Sequence, residues 1–254
     1  MGAGELVAER LTVTTDGIFA HAAKHIFHGV GDWLAASPQE VNLADEKGFT
    51  VLHYAAAAES AGHDVEDIVN MLLQAGADPH QVNHAGDTPF NVAAAKAPVA
   101  GRLLTNHWLE QALMKRGKGL NERSGSHGST LAQYMAKWSR DNEIEKQLRE
   151  AVEAGMQPDV ANASGWTPVT AAAAMGRVKA VEAFIWHYDF KAATLRTVDE
   201  YVATYNGQKV VYAAGLDAAE VAFARLTQDQ SFSAQQKNDY AKIVAIIVAK
   251  ISGS

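Results

Sequence analysis

The chain has 254 residues, 48% of them hydrophobic and 20% charged, which describes a soluble globular protein with room for a sizeable core in one large domain or two ordinary ones. Its net charge of -7 argues against a general binder of nucleic acid or of anionic membrane. Cysteine is absent, which excludes disulfide staples, thiolate chemistry and Cys-based zinc sites.

In chain order, MGAGELVAER lacks a basic flank and an apolar core, so no signal peptide is expected. Leu6 also stands where a myristoylation motif needs Ser or Thr. From Ile18 onward the pattern is helical, with a turn expected near Ile26 and Phe27 and core positions at Trp33 and Leu34. After Gly48 comes Thr50-Val51-Leu52-His53-Tyr54-Ala55, and after Gly86 comes Thr88-Pro89-Phe90-Asn91-Val92-Ala93. Ser129-Thr130-Leu131 and Val210-Val211-Tyr212-Ala213-Ala214 are weaker copies. The clearest copy is GWTPVTAAAAMGRVKAVEAFI at 165–185. There Thr167 can cap a helix and Pro168 suits its first turn. Gly176 interrupts that helix, and Val178, Val181, Phe184 and Ile185 then recur at helical spacing. Between copies lie LLQAGADPH at 72–80, LMKRGKGLN at 113–121 and VEAGMQPD at 152–159. The run KNDYAKIVAIIVAKI at 237–251 reads as a final capping helix, and its apolar stretch is too short to cross a bilayer.

These stretches resemble the ankyrin repeat, a β-turn plus two antiparallel helices with a Thr-Pro-Leu-His-x-Ala signature and a period of about 33 residues. Taking Leu52, Phe90, Leu131 and Val169 as anchors, Asn42, His80, Asn121 and Asp159 each lie ten residues earlier, where the family favours Asn. With Phe19 and Val211 added, intervals between anchors run from 33 to 42 residues. The excess is assigned to insertions at 96–102 (KAPVAGR) and 191–209. The resemblance implies an all-α solenoid of about six stacked helical hairpins with short β-turn tips. It spans 1–254 as units 10–41, 42–79, 80–120, 121–158, 159–200 and 201–254, the first and last as degenerate caps.

Catalytic chemistry finds no support. His21, His25 and His28 fall at i, i+4 and i+7, but the expected turn separates them and no zincin motif is present. No metal is expected. SGSHGST at 124–130 has no nucleophile elbow, GVG at 29–31 lacks the third glycine of a dinucleotide loop, and there is no Walker loop. Glu143 and Glu145 suit a solvated helix face. Lys115, Arg116, Lys118 and Arg123 suit a helix C-terminus ended by Gly117 rather than a nucleic acid, since no aromatics are interleaved. No cofactor and no enzyme activity are expected. His53, with Thr50 three residues earlier, reads as a stacking residue.

The family binds partner proteins on the concave face formed by hairpin tips and first helices. The resemblance therefore implies a protein-interaction module. Its candidate contacts are Phe49, Asp87 and Trp166, each between the Gly and Thr of a tip, and Tyr54, just after the signature histidine. The alternative is a modifying enzyme with its site in the 96–102 or 191–209 insertion. The expected location is cytoplasmic. Analogy with bacterial ankyrin proteins adds delivery into a host cell as an expectation, and Asn121 stands where an asparaginyl hydroxylase would act.

Overall fold

The computed structural model describes residues 15–24, 26–57, 63–93, 97–187, 201–205, 208–229 and 231–252. Helices arrive in pairs: α1 (Thr15–Ala23) with α2 (Phe27–Ala36), α3 (Val51–Ala57) with α4 (His63–Gln74), and α5 (Pro89–Val92) with α6 (Pro98–Met114). After a short hairpin of β1 (Arg123–Ser124) and β2 (Ser129–Thr130) come α7 (Leu131–Trp138) with α8 (Ile144–Glu153), and α9 (Pro168–Ala174) with α10 (Val178–His187). A second antiparallel hairpin, β3 (Tyr201–Tyr205) and β4 (Gln208–Tyr212), precedes α11 (Ala218–Gln228) and α12 (Ala234–Ile251). The chain is mostly helical, as the sequence implies.

Local chemistry explains where the first helices begin. Thr88 and Thr167 accept backbone N–H bonds from Asn91 and Thr170, and each is followed by a proline at the first helical position. Asp217 and Ser233 start α11 and α12 with reciprocal bonds to Glu220 and Gln236. Gly117, at φ +83, closes α6 by donating its N–H to Ala112 O at 2.8 Å.

No single pair could bury both of its faces. First helices meet first helices (α1 with α3, α3 with α5, α7 with α9, α9 with α11), and second helices do the same (α2 with α4, α4 with α6, α8 with α10, α10 with α12). One contiguous apolar core results, running from Ile18 through Leu52, Phe90, Leu131 and Phe184 to Ile247. A separate small cluster holds Trp166, Ala174, Val210, Tyr212 and Val221.

Pair-to-pair spacing is held by a repeated amide clamp. Asn42 Nδ2 donates to Gly76 O at 3.1 Å while Asp78 N–H donates to Asn42 Oδ1 at 2.7 Å. Asn121 does the same with Gly155 O at 2.9 Å and Gln157 N–H at 2.7 Å. The Asn positions in the expected register are therefore structural bridges. Tips are joined too: His84 N–H donates to Lys47 O, Ser126 N–H to Gly86 O and Ala163 N–H to His127 O, each at 3.0 Å.

Three sequence expectations need correction. Val211 is a strand residue rather than a helix anchor, and the first helix of the last pair starts at Ala218 after its Asp217 cap. Around the fourth pair the signature is shifted by one residue. Thr130 N–H is taken by Gln133 Oε1 at 2.8 Å, so Gln133 fills the position of His53 and Ala132, not Leu131, that of Leu52. Finally, 98–102 is not a loop but the start of α6, whose first turn accommodates Pro98. The expected turn near Ile26 and Phe27 is present between α1 and α2, while His25 and 191–200 lie outside the described residues.

Candidate protein-interaction face

At the second tip Asp45 organises the turn. Its Oδ1 accepts the N–H groups of Lys47 at 2.8 Å and Phe49 at 2.9 Å. Asn83 and Asn162 repeat this arrangement at the third and fifth tips, accepting from Ala85 and Asp87 and from Ser164 and Trp166. The sequence signal for these residues was available. An Asx stands three residues before Gly48, Gly86 and Gly165, and Asx side chains mimic a backbone turn.

His53 is buried and bridges two tips. Its Nδ1 accepts from Thr50 N–H at 3.1 Å and lies 2.8 Å from Thr50 Oγ1, so the ring proton sits on Nε2, which donates to Asp87 O at 3.0 Å. Burial pushes its pKa below the ordinary 6.5, against the pull of Asp87 and Asp45. His53 is a stacking residue, as expected.

The four candidate contacts fare differently. Phe49 is half-buried, stands outside the main core and lies 5.5 Å from the His53 ring and 5.6 Å from the Tyr54 ring. Tyr54 is half-buried but engaged: its ring lies 5.4 Å from Phe19 of the preceding pair, and its hydroxyl donates to Asp45 Oδ2 at 2.7 Å. That bond, with burial, raises the Tyr54 pKa. Burial would raise the Asp45 carboxyl, but the bonds from Tyr54, Phe49 and Lys47 outweigh it and hold the pKa below the usual value. Tyr134 stacks on Phe90 at 4.5 Å in the same way, one pair onto the one before. Asp87 is half-buried, with its backbone carbonyl committed to His53.

Trp166 corrects the expectation of an open tip. Only 9% exposed, it meets Tyr212 edge-on at 5.4 Å beneath β4. Phe49, Tyr54, Asp45 and Asp87 thus lie on one pair of adjacent tips, and Trp166 is covered elsewhere.

Among the described residues no group of His, Asp or Glu could hold a metal ion, and no helix is long and apolar enough to cross a membrane. Lys115, Arg116, Lys118 and Arg123 are exposed, and Arg123 donates to Gly128 O at 3.0 Å.

The ankyrin repeat family model matches residues 47–84, the segment that carries the Thr50–His53 bridge, α3, α4 and the turn to the next tip. The chain carries an ankyrin repeat. Outside that segment the amide clamp recurs at Asn121 and the tip turn of Asn83 at Asn162. Comparison with curated proteins gives no match. Among solved structures the chain is similar to one from the complex of the Bd0816 predatory endopeptidase of Bdellovibrio bacteriovorus with immunity protein Bd3460. The TM-score is 0.52 and the identity 21%, over 90% of this chain and 98% of that one. A likeness at that identity concerns fold and leaves binding open.

Proposed function

We propose that this chain is a non-enzymatic protein-interaction module, an elongated ankyrin solenoid that binds a partner protein on its tip and first-helix face. The carrying observation is Phe49: a half-buried aromatic outside the main core, on a tip whose backbone Asp45 holds rigid. Aromatics on preorganised backbone are the usual anchors of interfaces, because little entropy is lost when they are covered. Asp87, one tip along, adds a negative neighbour. The pairwise packing of helices and the recurring Asn clamps support the solenoid reading. The similar solved chain comes from a complex of an endopeptidase with an immunity protein, so an enzyme is a sensible first class of partner to test.

The experiment is affinity capture with the intact protein, followed by titration of the captured partner. Phe49→Ala should weaken binding by about 2 kcal/mol or more, roughly thirtyfold, while leaving the melting transition nearly unmoved. Normal binding by Phe49→Ala together with Asp87→Ala would end this assignment of the face.

A further inference from the structure

Three buried or half-buried cations of this protein are answered by carboxylates: Arg102 by Glu66, Arg177 by Asp141 at 2.8 Å and Arg225 by Asp229. Lys137, half-buried in the last turn of α7, is not. Its Nζ lies 5.8 Å from the centroid of the Tyr134 ring. Burial pushes its pKa below the usual 10.5, and no carboxylate of the described residues opposes that shift. Tyr134 stands just after Gln133, as Tyr54 stands just after His53. Lys137, three residues further along the same helix, therefore belongs to the first-helix face.

A lysine near a helix C-terminus ordinarily serves the last carbonyls and the dipole. Here Arg177 has that role: Nη1 donates to Lys137 O and Nη2 to Ser139 O, while Asp141 neutralises the guanidinium. The Lys137 side chain instead runs back over Tyr134, as long side chains in helices do. Its ammonium loses hydration without gaining an anion, which is a cost to the free protein that the aromatic face offsets only in part. A carboxylate brought by another molecule would remove that cost. Arg177 has already fixed the backbone that presents the amine, so little ordering remains to be done on binding.

We propose that Lys137 sets partner specificity: its ammonium takes a side-chain carboxylate, Asp or Glu, from an acidic segment of the partner protein. This rests on the interaction function proposed above. Two measurements test it. Lys137→Met keeps an apolar stem over Tyr134 and removes the charge, so its Tm should equal or exceed that of the parent protein. A merely structural cation would make the Tm fall. The probe for the contact is N-acetylated, C-amidated hexaglutamate, whose only charges are side-chain carboxylates, titrated into the isotope-labelled protein and followed by NMR. The net charge of -7 repels such a peptide from the surface at large, so a localised response is informative. The backbone resonances of Tyr134 and Lys137 should shift saturably, and Lys137→Met should weaken the binding at least about fivefold. Inorganic phosphate at the same ionic strength should not reproduce the shifts. A lower Tm for Lys137→Met, no shift at Lys137, or equal binding of the peptide by the parent and Lys137→Met would overturn the assignment. An equal response to phosphate would also overturn it, by marking a general anion site. Neither measurement uses a captured partner, so failure here leaves the reading of Phe49 standing, and normal binding by Phe49→Ala bears on the interaction function alone.

Discussion

At four tips a threonine and the residue three positions later face one problem: the chain must close its own turn and reach the next unit. His53 solves it with both ring nitrogens, Nδ1 taking Thr50 N–H and Nε2 donating to Asp87 O. Gln133 reproduces that with its amide, Oε1 taking Thr130 N–H and Nε2 donating to Trp166 O. Asn91 is shorter and reaches Tyr134 OH instead, and Thr170 bonds only to Thr167. His53→Ala should cost roughly 1–3 kcal/mol in urea denaturation, the usual cost of stranding a buried partner, and His53→Gln should recover most of it. The pH dependence follows from the same ring. Its folded pKa lies below 6.5, so the unfolded chain binds the proton first. The stability contributed is full above 6.5 and is lost as pH falls from there through the lowered folded value. Burial lowers His80 and His107 as well, so His53→Gln should flatten the acid slope below pH 6.5 without abolishing it. An unchanged slope would mean that His53 is not neutral in the fold.

Among elements, the last helical pair shows how a terminal unit is tied down. Arg225 and Asp229, with side chains 5% and 0% exposed, form an ion pair at the end of α11. The guanidinium lies 4.7 Å from the Phe232 ring centroid, Phe232 stacks on Tyr240 at 4.9 Å, and Tyr240 OH donates to Ala174 O at 2.9 Å. This chain of contacts also explains the break in MGR. Gly176 has φ +69, and a Cβ there would come within 2.9 Å of the Tyr240 ring. Asp229→Ala should be strongly destabilising, by about 3–5 kcal/mol in denaturant melts, because it leaves the guanidinium buried without its carboxylate. Burial raises the Asp229 carboxyl, but Ser231 and Arg225 outweigh it, so its folded pKa lies below 3.8. Its contribution is therefore complete above 3.8 and disappears only as pH falls below that. A loss under 1 kcal/mol, roughly the value of an exposed pair, would show that the bridge is solvated in solution.

For the whole molecule, the proposed solenoid makes a claim about shape. A chain of this length folded as one compact body has a radius of gyration of roughly 18 Å. Pairs stacked in a row, each touching only its neighbours, should give a distinctly larger value and an asymmetric distance distribution in small-angle scattering. A value at the compact limit would defeat the solenoid while leaving the ankyrin repeat at 47–84 untouched.

Much of this was written in the sequence because it is local. Caps, prolines, apolar stripes and the Thr50–His53 pair act over three to four residues, and the ten-residue interval before Leu52 correctly located the Asn clamp at 42, while the clamp at 121 lies eleven residues before Ala132. The tip residues Asp45, Asn83 and Asn162 were equally local and legible from their distance to glycine. Only the tertiary structure decided the rest. Ser129 and Thr130 could each have started the fourth pair, and the structure uses Thr130, the last residue of β2, which pairs with Gln133. VVYAA has the apolar content of a helix start, yet its alternating burial appears only once α11 and Trp166 supply the surface beneath it. Whether Trp166 meets a partner or Tyr212 therefore depended on residues 46 positions away in the chain, a contact that no local pattern encodes.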